Sequence, residues 1–514
     1  MRERKILSVL LPVLLFTFGF CLLACDDTAD SAADSKPISD DDDNDDNDNN
    51  DNDDNDDNDN DDNDDTTPLP PPTVKTLSWI TVKDRRLVDE YGRHWLPNGI
   101  NARVAGLFDG NDYWSQAVAE YTDWDAAAMV RDGYSLFRLP INWSGIEPIE
   151  GEIDEAYLQK IDQVVAWAGD AGLYVLIDFH QDKYSKYIGD DGAPLWAHYP
   201  PYVPGDDKVD ISWRLALAVF AFFTDYQNLQ ERWLPAWQVV VARYAALPQV
   251  IGFEPYNEPE SILPDWLYEF YYKAASGLRA IDTRHTLWLE PDVLRNNLLW
   301  APLRREPFPD DNLVYEPHLY PNFIGMNYET VDEWLEAITP TYDRALTEAA
   351  SWGNAATVVG EWGTHPGDAY APAYFAATRR LADERGIGLA FWVWKEKSSG
   401  NWGLFDYDPD TDTWTQRTGP GMDELLRPTI LAVPGRLIAQ TWDAETGELT
   451  VEFAAAGGEG PPLVYLPEGV FPDGFTADLN GESLSLTVDD ETRRALVPWD
   501  GQAGEFTLTI RATD

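Results

Sequence analysis

Beyond residue 95 the chain alternates short apolar runs with longer amphipathic stretches. The runs lie near 96–101, 134–141, 173–179, 250–256, 286–290, 313–318, 356–361 and 387–394, and most are almost continuously hydrophobic, as strands covered on both faces must be. Between them come stretches such as 154–170, where Leu158, Ile161, Val165 and Ala168 recur at helical spacing. Eight strand–helix units in this order predict an α/β fold of the (β/α)8 TIM-barrel type, with a doubly wound α/β sheet as the alternative. Ahead of them, residues 79–95 carry the turn signals Asp84-Arg-Arg and Glu90-Tyr-Gly and predict a hairpin. Past about Arg427 the pattern becomes alternating strands broken by Gly, Pro and Asp, as in 447–453 and 504–510, which predicts a small β-sandwich.

The first residues follow a different logic. A basic Met1-Arg-Glu-Arg-Lys5 precedes an apolar stretch over 6–24 that is interrupted by Pro12 and Gly19 and closes on a small residue, the form of an export signal. Its end, Leu22-Leu23-Ala24-Cys25, resembles the lipobox of bacterial lipoproteins, in which Cys25 would carry the lipid; ordinary signal cleavage nearby is the alternative. Both cysteines, Cys21 and Cys25, fall in this leader, so the rest of the chain has no thiol for a disulfide, a zinc site or a nucleophile. Residues 40–65 are only Asp and Asn, with nothing apolar to bury, and a Pro-rich spacer follows. They lack the Gly turn and distal Glu of a calcium loop. The expected organisation is a leader over 1–25, a solvated tether over 26–73, a catalytic barrel over 74–426 and the sandwich over 427–514. The expected location is the bacterial cell envelope, lipid-anchored, or else secreted.

The formal charge of −54 is inflated by the tether, yet the remainder stays acidic, which makes nucleic acid and polyanions poor partners. The 22 Trp and 24 Tyr suit sugar stacking as well as core filling.

Two glutamates carry the chemistry. Glu258 lies in Gly252-Phe-Glu-Pro-Tyr-Asn-Glu-Pro259, after the fourth predicted strand, and Glu361 in Val358-Val-Gly-Glu-Trp-Gly363, at the seventh. Carboxyls at the C-terminal ends of barrel strands face the mouth, and two facing each other can cleave a glycosidic bond. Retention needs one protonated carboxyl to give a proton to the leaving oxygen and one ionised carboxylate to attack, about 5–5.5 Å apart. Glu258 is expected as the acid/base and Glu361 as the nucleophile. Gly360 is expected to let the sugar approach closely.

From about Asn98 onward the chain resembles glycoside hydrolase family 5, and within it the endoglycoceramidase-related branch. The words that carry the resemblance are Asn98-Gly-Ile-Asn-Ala-Arg-Val104, Phe137-Arg-Leu-Pro-Ile-Asn-Trp-Ser-Gly-Ile-Glu-Pro148, Asp178-Phe-His-Gln-Asp-Lys-Tyr-Ser185, Tyr256-Asn-Glu-Pro259, Glu316-Pro-His-Leu-Tyr320 and Gly360-Glu-Trp-Gly363, in the family's order. The resemblance implies that Arg138 lies beside Glu361 and keeps it ionised, or else serves as a structural ion pair. It further implies that His180 and Asp182 contact hydroxyls of the sugar at the cleaved bond, that His318 and Tyr320 sit by the two glutamates with Tyr320 donating to Glu361, and that Asn257 binds the sugar 2-hydroxyl. Trp394 is the expected sugar platform, with Trp392 on the same face by strand alternation. Glu254, Glu260, Glu290 and Glu316 are expected as structural carboxylates. Arg103 stands near where the branch carries a Lys, which leaves the glycan preference open.

The connection 183–233 contains the apolar run Leu215-Ala-Leu-Ala-Val-Phe-Ala-Phe-Phe223, either a surface for a lipid aglycone, and possible second contact with membrane, or a helix buried under its own loop. The reading is a monomeric retaining glycosidase without metal or organic cofactor, acting on a glycolipid in the manner of an endoglycoceramidase. Within the family the alternatives are an endo-β-1,4-glucanase or mannanase, and an exo-acting glucosylceramide or steryl glucosidase. The alternative from another class is a non-catalytic carbohydrate- or lipid-binding surface lipoprotein. Six histidines without an HExxH-like pair agree with the absence of a metal.

Overall fold

A computed structural model describes residues 69–108, 118–188, 191–201, 211–261, 263–293, 295, 306–321, 325–397 and 402–513. The expected leader, Cys25 and most of the tether lie outside them. One compact unit runs from Pro72 to Asp514.

The unit opens with three short antiparallel strands, β1 (Ile80–Lys83), β2 (Arg86–Asp89) and β3 (Arg93–Trp95). Lys83 pairs with Arg86, so Asp84 and Arg85 form a two-residue turn, both with positive φ, the geometry that matches strand twist. The barrel follows as β4 (Asn98–Asn101), β5 (Leu136–Ile141), β6 (Tyr174–Phe179), β7 (Val250–Glu254), β8 (Thr286–Leu289), β9 (Leu313–Tyr315), β10 (His318–Leu319), β11 (Ala356–Trp362) and β12 (Gly388–Phe391). Every neighbouring pair is parallel and β12 returns to β4, so the sheet closes. The sixth predicted run is split at Glu316-Pro317 into β9 and β10, both of which lie against β11.

The helices between the strands are α1 (Asp123–Arg131), α2 (Trp143–Ile146), α3 (Glu155–Ala171), α4 (Ile211–Phe223), α5 (Leu229–Tyr244), α6 (Pro264–Arg279), α7 (Val331–Ser351) and α8 (Ala371–Arg385). In α3 the expected stripe is buried, Asp154 caps the start by accepting from the Ala156 and Tyr157 amides, and Gly172 ends it in the left-handed conformation. For α4 the structure decides between the two readings. Phe222 and Phe223 are buried and pack on Tyr256 and Phe270, so the end of this run is core and is not a lipid-binding surface. An apolar helix between two other helices needs no further occupant.

After a hairpin, β13 (Phe405–Asp408) and β14 (Thr413–Gln416), and the short α9 (Pro420–Leu425), come β15 (Thr429–Pro434), β16 (Arg436–Asp443), β17 (Glu448–Ala455), β18 (Leu463–Tyr465), β19 (Phe475–Leu479), β20 (Glu482–Leu484), β21 (Arg494–Leu496) and β22 (Gly504–Ala512). Five of them form one sheet in the order β16-β17-β22-β19-β20. The other sheet runs β1-β2-β3-β15-β18-β21, so the N-terminal hairpin is part of the C-terminal sandwich.

This shared sheet has two apolar faces. Ile430, Val433 and Val464 meet Leu449, Val451, Phe453, Leu508 and Ile510 of the other sheet. On the opposite face Leu87, Trp95, Leu431, Ala432 and Leu463 meet Leu136, Tyr174, Ile251, Trp288 and Val314 at the N-terminal ends of the barrel strands. Arg494 of β21, itself buried, reinforces the seam by donating to the carbonyls of Tyr134, Gly172 and Val74. The sandwich is thus the floor of the barrel. A protein of residues 69–514 is expected to melt in one calorimetric transition, and one of residues 69–426, with its floor exposed to water, to show no cooperative transition. Cooperative melting of the shorter protein would show that the barrel stands alone.

Candidate active site

The C-terminal ends of the barrel strands converge on Arg138, in β5, which is fully buried. Its Nε and Nη2 donate to both oxygens of Glu254 at 2.7 and 2.6 Å, and its Nη1 donates to Glu361 Oε1 at 2.7 Å. Nη1 also reaches Asn101 Oδ1 at 3.1 Å and Nη2 reaches Asn257 Oδ1 at 2.8 Å. Burial disfavours the cation, but Asp178, Glu254 and Glu361 outweigh it and hold Arg138 charged.

Glu361 is in β11, in register with His318 of β10. Its second oxygen accepts from the Tyr320 hydroxyl at 2.7 Å. Glu258 lies after β7 with φ of 42°, in the left-handed region that few non-glycine residues adopt, and its backbone N–H donates to Glu290 Oε1 at 2.8 Å. His318 Nδ1 lies 3.0 Å from Glu258 Oε1 and 3.7 Å from Glu361 Oε2. Carboxyl oxygens of Glu258 and Glu361 and this histidine nitrogen are all within 4.8 Å of one another. So close an approach of carboxyl oxygens is compatible with the separation of about 5–5.5 Å between carboxyl groups that retention requires.

The two glutamates differ in surroundings. Burial, reinforced by Asp182, pushes Glu258 up to about 7. Burial also raises Glu361, but His318 and Arg138 oppose it. His318 itself is pushed down to about 4 by burial and by Arg138, so at neutral pH it helps as a hydrogen-bonding group, and the permanent charge beside Glu361 is Arg138. His180, though buried, is held up to about 10 by Asp178, with Nδ1 2.6 Å from Asp178 Oδ2.

Of the residues singled out in the sequence, Arg138, His180, Asn257, Glu258, His318, Tyr320 and Glu361 meet here. Asn257 uses its oxygen on Arg138 and its amide on the Gln181 carbonyl at 2.9 Å. Asp182 is half exposed, 4.0 Å from His180 Nε2. Trp394 is a correction. It is 1% exposed, donates its indole N–H to Asp125 at 3.0 Å and packs on Tyr134 and Phe405. Strand β12 ends at Phe391, so period-two alternation does not extend to 394. Trp392 instead lines the site, stacked on His180 with centroids 5.8 Å apart. Gly360 is a second correction. A Cβ there would lie 2.1 Å from Glu316 Oε1, so the missing side chain makes room for a carboxyl, not a sugar.

Sequence reasoning gave no role to Asn101, whose amide donates to the Gly360 carbonyl at 2.9 Å while its oxygen accepts from Arg138. Its signal was its place at the end of the first barrel strand. Arg103 is held by Glu396 at 2.5 Å and packs over Phe108 and Trp392. Among the described residues three groups have metal-like spacing: His180 with Asp182 and Asp191, Glu254 with Glu290 and His318, and the trio of Glu258, His318 and Glu361.

Comparison with known proteins places the chain in a family. Residues 89–398 match the family model for cellulase (glycosyl hydrolase family 5), and residues 427–510 match that for the glycoside hydrolase family 5 C-terminal domain. Endoglycoceramidase I of Rhodococcus hoagii (strain 103S) is 27% identical over 431 residues, covering 78% of this chain and 82% of that protein. The structure of endo-glycoceramidase II from Rhodococcus sp. in complex with ganglioside GM3 superposes with a TM-score of 0.70 at 24% identity, over 84% of this chain and all of that one. The structure of an endogalactoceramidase does so with a TM-score of 0.65 at 25% identity, over 85% and 98%. The family match spans more than half of the chain and takes in both glutamates: this protein belongs to glycoside hydrolase family 5 and is a retaining glycosidase.

Proposed function

We propose that the enzyme cleaves the β-glycosidic bond between a glycan and the lipid of a glycolipid, with Glu361 as nucleophile and Glu258 as acid/base. The observation that carries the assignment is the approach of the two carboxyls to within 4.8 Å, with Arg138 and Tyr320 on one of them only. Glu361, supplied with a permanent cation and a hydroxyl donor, attacks the anomeric carbon as the carboxylate. Glu258, raised to about 7, holds its proton below that pH and gives it to the leaving oxygen. The same residue, now ionised, takes a proton from the water that releases the glycosyl group from Glu361. Trp392 offers its ring to the sugar, and His180 and Asp182 stand where hydroxyls can be met.

The glycolipid reading is supported by the Rhodococcus hoagii relative named endoglycoceramidase. With Phe222 and Phe223 in the core, the lipid would meet exposed apolar side chains in the connections after β6 and β7, such as Leu195, Tyr226 and Leu263. The leader ending in Cys25 supports an exported enzyme tethered to the cell envelope by lipid, and the enzyme acts as a monomer.

Hydrolysis of a panel of glucosylceramide, lactosylceramide, ganglioside, steryl glucoside and cello-oligosaccharide tests the substrate. Release of intact oligosaccharide with free ceramide is expected; glucose released from steryl glucoside, or cellobiose from cello-oligosaccharide, as the dominant product would replace the reading. Glu361→Gln is expected to abolish turnover, and Glu258→Gln to lower kcat/KM by about 10²–10⁴, least for an activated aryl glycoside. The kcat/KM profile should fall on the alkaline side near pH 7, where Glu258 loses its proton, and on the acid side where Glu361 gains one. Trp392→Ala should lower kcat/KM at least tenfold, by about 1.4 kcal/mol or more, whereas Trp394→Phe should lower the melting temperature by removing the donor to Asp125, with KM unchanged.

A further inference from the structure

Beneath the catalytic pair lies a layer of carboxyl groups that the chemistry does not use. Arg138 has within reach Asp178 of β6 at 3.0 Å, Glu254 of β7 at 2.6 Å, Glu290 after β8 at 3.8 Å, Glu316 after β9 at 3.4 Å and Glu361 of β11 at 2.7 Å. Arg138 and the first four of these side chains are wholly inaccessible to water. The other groups facing the layer are His180, which rests on Asp178, His318, whose Nε2 is 3.4 Å from Glu290, and Glu258 above. Full ionisation would set five carboxylates against Arg138 and His180, with His318 neutral. A dry interior does not sustain such an excess of one sign.

The contacts separate acids from anions. Glu254 receives two guanidinium N–H groups, Asp178 faces Arg138 and His180, and Glu361 receives Arg138 and Tyr320. Glu316 accepts no hydrogen bond on either oxygen; its carboxyl fills the space that a side chain at Gly360 would take, 3.4 Å from Arg138 Nε, the nitrogen that donates to Glu254. Glu290 spends Oε1 on the Glu258 amide, and its carboxyl also comes within 4.8 Å of the Glu254 carboxyl. Burial, followed by the charge of Glu254, raises both Glu290 and Glu316 well above the usual carboxylate range, while for Glu254 burial is outweighed by Arg138 and its value is lowered.

We infer that Glu290 and Glu316 are neutral carboxylic acids that donate their protons to the Glu254 carboxylate, and that they act as positioning residues for the catalytic pair. Glu254, its charge shared between Arg138 and the two acids, holds Nε and Nη2 of Arg138 without drawing Nη1 away from Glu361. Glu290 also fixes the backbone of Glu258 in its left-handed conformation. Only the kinetic part of the test rests on the roles proposed for Glu258 and Glu361.

The test replaces each carboxyl by its amide in the full chain: Glu290→Gln, Glu316→Gln and Glu254→Gln. An acid held neutral in the folded state but ionised when unfolded, above about pH 4.3, makes the folded state bind the extra proton, so its stability cost grows as pH rises. Gln is a permanent neutral donor and escapes that cost. Melting temperatures of Glu316→Gln and Glu290→Gln are therefore expected to match the parent near pH 5 and to exceed it by a few degrees near pH 8. Glu254→Gln, which removes a true anion, should melt lower throughout this range and shift the acid limb of kcat/KM. If Glu316→Gln or Glu290→Gln instead lowers the melting temperature as Glu254→Gln does, with a loss that persists or grows towards alkaline pH, these residues are anions and the inference fails. Difference spectra give an independent reading: infrared carboxylic-acid carbonyl bands of the parent near pH 8, distinct from carboxylate bands, should lose intensity in Glu290→Gln and in Glu316→Gln, and unchanged acid bands in both variants also overturn it. Intact turnover in Glu361→Gln would remove the catalytic assignment and leave both of these readings standing.

Discussion

Arg138 is a permanent cation in a place that water does not reach, and the top of the barrel is arranged to make that tolerable. A buried guanidinium deprived of its partner costs on the order of 3–5 kcal/mol, so its neighbours are held as firmly as it is. Asn101, Glu254, Asn257 and Glu361 come from different parts of the barrel wall and each gives it an oxygen. The strand ends are thereby fixed relative to one another by a single planar fork, whose geometry a lysine cannot reproduce. Precision at the mouth begins with that fork.

The same cation separates two residues of identical chemistry. Glu361 touches Arg138 and a tyrosine hydroxyl, whereas Glu258 touches a histidine kept neutral by burial and has Asp182 nearby. Burial raises both, but at Glu361 the fixed cation opposes the rise, while at Glu258 Asp182 adds to it. Division of labour between two glutamates therefore requires no difference in the residues themselves, only in which of them the fixed charge faces.

Much of this could be read from the chain, and the exceptions have physical causes. The eight barrel runs were legible because strands covered on both faces are apolar throughout, and the glutamate pair because each closes such a run. Trp394 misled because alternation holds only inside a strand, and β12 ends three residues earlier. The reason for Gly360 was hidden because Glu316, the group that needs the space, lies 44 positions away in sequence, in the break between β9 and β10. Phe222 and Phe223 had two readings because an apolar helix looks the same whether helices or lipid cover it. The hairpin at 80–95 carried no mark of its partner, since pairing between His94 and Val433 is a matter of topology and not of local pattern.

That pairing sets an order on folding. Strand β3 waits for β15, more than three hundred residues later, and the cover over the apolar ends of β5 to β9 is complete only when β15, β18 and β21 arrive near the end of the chain. Long-range pairing of this kind is slow, and half-covered apolar surface is what aggregates. The barrel can assemble its mouth early from neighbouring strands, but the last part of the chain to be made is the part that seals it, so an incomplete chain is left sticky at the end opposite its chemistry.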